Sequence, residues 1–308
     1  MATEEILIEV EPEAAIVGAG ERAGWREKAG ALVELTKPRI TFLIVLTSAA
    51  SFSLASSGGI NYATLCHALV GIALLSSGIA AINQYMERAL DRRMRRTAAR
   101  PLPSGRVTPR GALAFGVGLT VVAEVYLAAL VNPLTAALGL GVVAGYLGLY
   151  TPLKTRTSLS TVIGAFPGAM PPLLGWSAAA GSLGVEAWAL FGILFVWQFP
   201  HFLSIAWMYR EDYARAGIVM LPVVEPEGRL TSQQVVLWAL LLVPVSLYPA
   251  ALGVTGPAYF YGAFVLGLAF LAASVHAALS FTRQGARRLL LASVLYLPLL
   301  FGLMVFDN

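Results

Sequence analysis

An all-α, polytopic membrane protein is the fold class that the sequence predicts, from three observations. The chain of 308 residues is 57% hydrophobic and only 12% charged, where a soluble globular protein carries about a quarter of its residues as charges. With a mean hydropathy of +0.73, it lacks the polar surface to cover a water-soluble fold. Its apolar residues form continuous runs long enough to cross a bilayer as helices, which takes about 20 residues, and not the alternating segments of about 10 residues that build a membrane β-barrel. The basic residues, finally, cluster in every second connection between those runs. The same composition excludes disorder, a coiled coil, collagen and a nucleic-acid-binding module.

Nine spans are expected, near 40–58, 62–82, 112–131, 134–152, 161–180, 187–208, 232–252, 257–281 and 288–306. Arg22, Arg26, Lys28, Lys37 and Arg39 precede or open the first. Arg88, Arg92, Arg93, Arg95, Arg96, Arg100, Arg106 and Arg110 fill the second connection. Lys154 and Arg156 lie in the fourth, Arg210, Arg215 and Arg229 in the sixth, and Arg283, Arg287 and Arg288 in the eighth. Lys and Arg concentrate in cytoplasmic loops, so the amino terminus and the even connections are expected on the cytoplasmic side. An odd number of spans then leaves Asn308 outside. Most of these arginines are accounted for by topology and anionic lipid headgroups, and no nucleic-acid partner is expected.

The first 20 residues carry Glu4, Glu5, Glu9, Glu11 and Glu13 and no basic residue, unlike a signal peptide or a mitochondrial transit peptide. A bacterial cytoplasmic membrane is the expected location. Residues 1–34 read as a flexible cytoplasmic tail and 35–308 as the transmembrane domain. Cys66 is the only cysteine, so there is no disulfide framework and no cysteine metal cluster.

The second connection, NQYMERALDRRMRRTAARPLPSGR at 83–106, is where chemistry is expected. Its first half is rich in helix formers and extends the second span, with a break expected near Pro101 and Pro103. On that helix Asn83, Glu87 and Asp91 stand at i, i+4 and i+8, on one face, beside a stripe of Arg88, Arg92 and Arg96. Mg²⁺ takes hard oxygen ligands, usually one or two carboxylates plus phosphate oxygens and water, and arginine forks match phosphate oxygens. The spacing therefore suits a magnesium diphosphate, and it equally suits i,i+4 ion pairs on a solvated helix end, each worth roughly 0.2–0.5 kcal/mol. Glu211 and Asp212, after the sixth span, lie on the same side by topology, as do Lys154 and Arg156. Glu211 and Asp212 alone would pass for an ordinary charged interfacial turn.

Together these segments resemble the UbiA superfamily of intramembrane prenyltransferases, and within it the heme-modifying branch. The matching stretches are LTKPRIT at 35–41, NQYMERALDRRMRRTAARPLPSGR at 83–106, YTPLKTRT at 150–157, GAFPGAMPPLLGW at 164–176, WQFPHF at 197–202 and EDYARAGIVMLPVV at 211–224. The superfamily's first motif, NDxxDxxxD, is matched at its ends by Asn83 and Asp91, with Gln84 and Glu87 replacing the two aspartates between. Where many relatives carry DxxxD, this chain has Asp212 followed by Ala216, which weakens a symmetric two-metal site. The resemblance implies transfer of a farnesyl group from farnesyl diphosphate to a vinyl group of heme b, with addition of water, to give heme O. It implies Mg²⁺ as cofactor, held by Asn83, Glu87, Asp91 and Asp212, with Asn83, Asp91 and Asp212 catalytic. Diphosphate contacts fall to Lys154, Arg156 and Arg100, and less directly to Lys37 and Arg39.

The implied partners are farnesyl diphosphate, heme b, the lipid bilayer and, as recipients of the product, a heme A synthase or a terminal oxidase. His201 is the expected heme contact; His67 and His276, inside apolar runs, read as interhelical hydrogen-bonding groups. The glycines and prolines of 164–175 allow close helix packing, a broken helix that widens a cavity, or both. Glu124, the one carboxylate deep in a span, is expected to bond a neighbouring helix. Other readings are a quinone-precursor or other tetrapyrrole acceptor, a transporter, and a non-catalytic oxidase assembly factor. A transporter would set its charges near the midplane, whereas here they gather at one end.

Overall fold

In a computed structural model describing residues 24–56, 58–280 and 282–308, the apolar runs become helices whose ends follow local sequence signals. Asn61, Thr108, Asn132 and Thr282 each accept a backbone N–H three residues on, from Thr64, Gly111, Thr135 and Gly285, which satisfies donors that a helix start leaves free. Pro38, Pro109, Pro133 and Pro171 open helices, at the position where the missing N–H costs nothing.

In chain order the helices are α1 (Trp25–Leu35), α2 (Pro38–Ala55), α3 (Tyr62–Arg93), α4 (Pro109–Leu130), α5 (Pro133–Leu153), α6 (Ser160–Gly168), α7 (Pro171–Ala180), α8 (Val185–Met208), α9 (Arg210–Ala216), α10 (Leu221–Val224), α11 (Arg229–Ala251), α12 (Pro257–Ser280) and α13 (Arg283–Phe306). Among the described residues, eight helices are long and apolar enough to cross a membrane: α2 to α5, α8 and α11 to α13. The expected fifth span is two half-helices, α6 and α7, set end to end and interrupted at Ala169 and Met170. The chain is a multi-pass membrane protein, and its nine expected crossings correspond to these eight helices and one broken one.

α2 packs along α7, α3 along α4, and α8 against α11 and α13, with α13 returning to α2. The break in the fifth span is tied down by its neighbours. Ser48 and Ser51 of α2 donate to the carbonyls of Pro171 and Pro172 at 2.9 and 2.7 Å, and Gln198 of α8 donates to that of Ala165 at 2.8 Å. Gly175 lets α2 and α7 approach this closely, because a Cβ there would overlap the Ser48 backbone. Close packing and a broken helix thus coexist, since each polar group freed at the interruption needs an interhelical partner in an apolar medium.

Four expectations change. Of the supposed tail, residues 1–23 lie outside the described residues, while Trp25–Leu35 is helical and buries Ala31 and Leu35. α3 stops at Arg93, well before Pro101, with Met94 already extended. The Glu124 carboxyl oxygens are buried without a hydrogen-bond partner among the described residues, near Leu75 and Gly139, so that residue bonds no neighbouring helix. His67 does form its interhelical bond, to the Tyr126 hydroxyl at 2.8 Å, whereas His276 is exposed on the outer face of α12.

Candidate active site

Asn83, Glu87 and Asp91 share one face of α3, as their spacing dictates, and all three are buried. The face borders a hollow of about 110 Å³ lined also by Lys37, Met94, Arg96, Arg100, Tyr146, Tyr150, Lys154, Tyr213, Ile218 and Met220. Buried charges need partners, and each carboxylate has a cation from another segment. Lys154, just past the end of α5, donates to Glu87 Oε1 at 2.5 Å. Nη1 of Arg100 bridges both oxygens of Asp91 at 2.8 Å. This second pair accounts for the early end of α3: the chain leaves the helix at Met94 and turns back, and Thr97 Oγ1 donates to the Asp91 carbonyl at 2.9 Å. A helix running on to Pro101 would carry Arg100 away from Asp91.

Asn83 is oriented by a relay across three segments. Lys37 Nζ donates to its Oδ1 at 3.1 Å, its Nδ2 donates to Thr151 Oγ1 at 3.2 Å, and Thr151 Oγ1 donates to the Tyr146 carbonyl at 2.8 Å. The amide oxygen therefore faces the cations. Lys37 reaches the hollow from an elbow between α1 and α2 in which it adopts φ 50° and ψ 60°, the one positive φ outside glycine among the described residues. Such a conformation costs of order 1–3 kcal/mol and persists only where its surroundings enforce it. Burial, then repulsion from Arg100, hold the Lys37 ammonium down to about 8. At Lys154 burial acts in the same direction but is outweighed by Tyr150 and Glu87, which raise it above its ordinary value.

The wall opposite α3 is the last part of α5. Residues Ala144–Tyr150 form a π-helical stretch, a widened turn frequent at functional sites. Tyr146 and Tyr150 meet edge to face at 5.1 Å, and the Lys154 ammonium lies 4.4 Å from the centre of the Tyr150 ring. Gly164 of α6 makes room for that ring, since a Cβ would collide with it. The segment after α9 closes the hollow: Val219 N–H donates to the Lys154 carbonyl at 2.7 Å, which brings Ile218 and Met220 to the wall.

Of the ten residues that sequence reasoning assigned, Lys37, Asn83, Glu87, Asp91, Arg100 and Lys154 meet at the hollow. Asp212 reaches only its margin. It is buried at the same end of the bundle, but its carboxylate pairs with Arg215 and accepts the Arg96 N–H at 3.3 Å, so its contact with the lining runs through Arg96. Arg156 and Arg39 are exposed and off the lining; Arg39 lies past the elbow, in the first turn of α2, where only Lys37 turns inward. His201 is elsewhere, on the face of α8 that meets α13. Its Nδ1 pairs with Ser293 Oγ at 2.8 Å and its ring stacks on Trp197 at 4.7 Å. Within the expected arginine stripe, Arg88 folds back to the Tyr85 carbonyl at 2.9 Å and Arg92 is exposed; only Arg96, already beyond the helix, borders the hollow. Tyr146, Tyr150 and Tyr213 were missed. The first two stand eight and four residues before Lys154, a helical spacing that would have pointed to them.

The polar groups thus include two carboxylates and an amide oxygen facing Lys37, Arg100 and Lys154 from separate segments, with Arg96 at the border. Asn83, Glu87 and Asp91 offer hard oxygens of the kind Mg²⁺ takes, and among the described residues no three His, Cys, Asp or Glu side chains converge as a closed metal cage.

Residues 43–302 match the UbiA prenyltransferase family. The chain belongs to that family. Among relatives of this prenyltransferase, the protoheme IX farnesyltransferase of Solibacter usitatus is 52% identical over 285 residues, covering 90% of this chain and 98% of that one. The protein of the same name from Koribacter versatilis is 50% identical, covering 89% and 92%. A digeranylgeranylglyceryl phosphate synthase structure superposes with a TM-score of 0.76 at 15% identity, over 91% of this chain and 98% of that one. A UbiA homolog from Archaeoglobus fulgidus bound to GPP and Mg²⁺ gives 0.62 at 16% identity, over 89% and 99%. At these identities the two structures share the fold.

Proposed function

We propose that this prenyltransferase transfers the farnesyl group of farnesyl diphosphate to a vinyl group of heme b, producing heme O in a bacterial cytoplasmic membrane, with the hollow at the cytoplasmic end and residues 35–308 as the catalytic unit. The observation that carries the reading is the hollow itself, where the carboxylates of Glu87 and Asp91 and the cations Lys37, Arg100 and Lys154 surround a space bordered by membrane helices. The acceptor is argued from relatives named protoheme IX farnesyltransferase at 52% and 50% identity and from the NxxxExxxD form of the first motif.

Asn83, Glu87 and Asp91 would hold Mg²⁺ through hard oxygens, and the ion would supply Lewis-acid stabilisation of negative charge on the diphosphate. Breaking the allylic C–O bond leaves the electron pair on the diphosphate oxygen. Lys154, Arg100 and Lys37, already directed into the hollow, stabilise that charge without reorganising at the moment of reaction. The vinyl π-electrons form the new C–C bond, and water adds to the resulting cation with loss of a proton, so no general base is needed to start the reaction. Tyr146 and Tyr150 border the hollow, where their rings would shield the allylic cation from water. Lys154 and Arg100, now paired with Glu87 and Asp91, would exchange those carboxylates for the diphosphate on binding, which would leave the carboxylates free to hold the ion.

We assign Asp212 to holding Arg96 in the wall. Asp212→Asn keeps an acceptor for the Arg96 N–H and is expected to retain turnover within about tenfold of wild type, since a neutral hydrogen bond replaces a charged one. Asp212→Ala loses the acceptor and falls further. If Asp212→Asn is as inactive as Asp91→Asn, Asp212 is a metal ligand and this assignment is wrong. His201 is expected to act in packing between α8 and α13. His201→Ala should lower thermal stability by about 1 kcal/mol, the worth of one hydrogen bond, and leave diphosphate affinity unchanged; a selective loss of heme binding at unchanged stability would restore it as a heme contact.

The test of function is incubation of purified protein with farnesyl diphosphate, heme b and Mg²⁺, followed by pigment extraction and mass spectrometry. The expected product is heme b increased by one farnesyl group and one water. Unchanged heme together with turnover of an aromatic acid would overturn the acceptor assignment.

A further inference from the structure

We infer that Gln84 is the positioning residue for Lys37, so that two adjacent residues of α3 grip the α1–α2 elbow, one from inside the hollow and one from behind it. The inference rests on the reading of the hollow as a diphosphate site and adds a residue to which that reading gives no task. Gln84 occupies the second position of the NDxxDxxxD motif, where its first aspartate stands, yet it does not line the hollow. Neighbouring residues on a helix leave it about 100° apart, and while Asn83 turns toward Lys37, Gln84 turns toward α1. There its Nε2 donates to the Leu35 carbonyl at 3.0 Å, with Gln84 only 2% and Leu35 0% exposed.

Leu35 ends α1, and Lys37, two residues on, is the strained residue whose Nζ reaches Asn83 Oδ1. A left-handed lysine relaxes to negative φ unless its flanks are fixed, and relaxation would swing its ammonium out of the hollow. Thr41 Oγ1 ties across the elbow, donating to the Thr36 carbonyl at 3.0 Å, and the Lys37 N–H donates back to the Glu34 carbonyl at 3.2 Å. Gln84 adds the buried side-chain tie that fixes this upstream flank to α3. A second tie, Arg106 to Glu34 at 2.8 Å, is largely exposed and so contributes little. Aspartate at position 84 could not replace Gln84: it is one methylene shorter and, ionised, has no hydrogen to give a carbonyl. The departure from the family's motif at this position exchanges a carboxylate for a clamp on a cation.

The test is a double-mutant cycle read as equilibrium affinity for inorganic diphosphate with Mg²⁺, and as KM and kcat for both substrates. Gln84→Met, similar in length but without the donor, is expected to weaken diphosphate binding and raise KM for farnesyl diphosphate about tenfold and to lower kcat as Lys37 leaves the developing charge, with KM for heme within about twofold. In a Lys37→Met background the same change should add less than about twofold, because a residue that acts through Lys37 has nothing left to act on. Gln84→Asn, too short to reach Leu35, should reproduce Gln84→Met if the latter does not fold. Full additivity on Lys37→Met, an equal loss for both substrates, or wild-type affinity in both Gln84 variants would overturn the inference. Wild-type protein that binds diphosphate but leaves heme unchanged would refute the acceptor reading and leave the cycle decisive for Gln84. Wild-type protein that binds no diphosphate would overturn both.

Discussion

Asp91→Ala is expected to lower farnesyl transfer by at least about a thousandfold, the scale at which losing a preorganised charge at a reacting centre is felt, while the protein still inserts and folds. Asp91 is fully buried, and both its oxygens are used by Arg100. Removing one partner of a buried pair costs about 3–5 kcal/mol when the other stays dry. Here Arg100 keeps a quarter of its side chain exposed, so the guanidinium rehydrates and the folding cost is smaller. The loss falls instead on function, through two routes. The hollow loses its most buried carboxylate, and the turn from Met94 to Arg100 loses the charge that draws it back over the end of α3. Asp91→Asn separates them: it keeps an acceptor for Arg100 but not the anion, so inactivity in Asn as well as Ala points to the charge. Steady-state heme O formation beside thermal unfolding in detergent measures both; near-wild-type turnover in Asp91→Asn would remove the carboxylate from the mechanism.

Lys154→Met carries the second large effect. Its ammonium lies between Glu87 at 2.5 Å and the Tyr150 face at 4.4 Å, and its carbonyl anchors Val219. The backbone anchor survives substitution, so the wall stays in place while the charge disappears. Loss of about 10²–10³ in kcat is expected for one preorganised donor to developing negative charge, together with a higher KM for farnesyl diphosphate and an unchanged KM for heme. Because Glu87 is then left buried and unpaired, Lys154→Met should also be less stable than wild type, and Glu87→Gln in the same chain should restore stability without restoring turnover. Recovery of turnover by Glu87→Gln would mean that Lys154 matters only as Glu87's counter-ion.

What could be read from the chain beforehand was whatever depends on spacing along one helix. Asn83, Glu87 and Asp91 share a face because residues four apart always do, and the nine crossings follow from apolar length. The interruption at 169–170 was signalled by its prolines. What stayed hidden depends on contacts between segments. α3 ends at Arg93 with no breaker in reach, because Arg100 is drawn back to Asp91. Asp212 has the right side and the wrong partner: Arg215, three residues later in α9, takes the carboxylate first. Trp25–Leu35 reads as charged tail, since α1 is short and buries little beyond Ala31 and Leu35. The elbow at Lys37 had no sequence signal, because left-handed backbone is ordinarily announced by glycine and here hydrogen bonds from α3 impose it.

The central claim is that side chains from separate helices converge on one magnesium diphosphate. Calorimetric titration of the purified protein with inorganic diphosphate, with and without Mg²⁺, tests it most directly. Saturable binding that needs Mg²⁺, is lost in Asp91→Ala and Lys154→Met, and persists in His201→Ala is the predicted result. Equal binding by wild type, Asp91→Ala and Lys154→Met would contradict it.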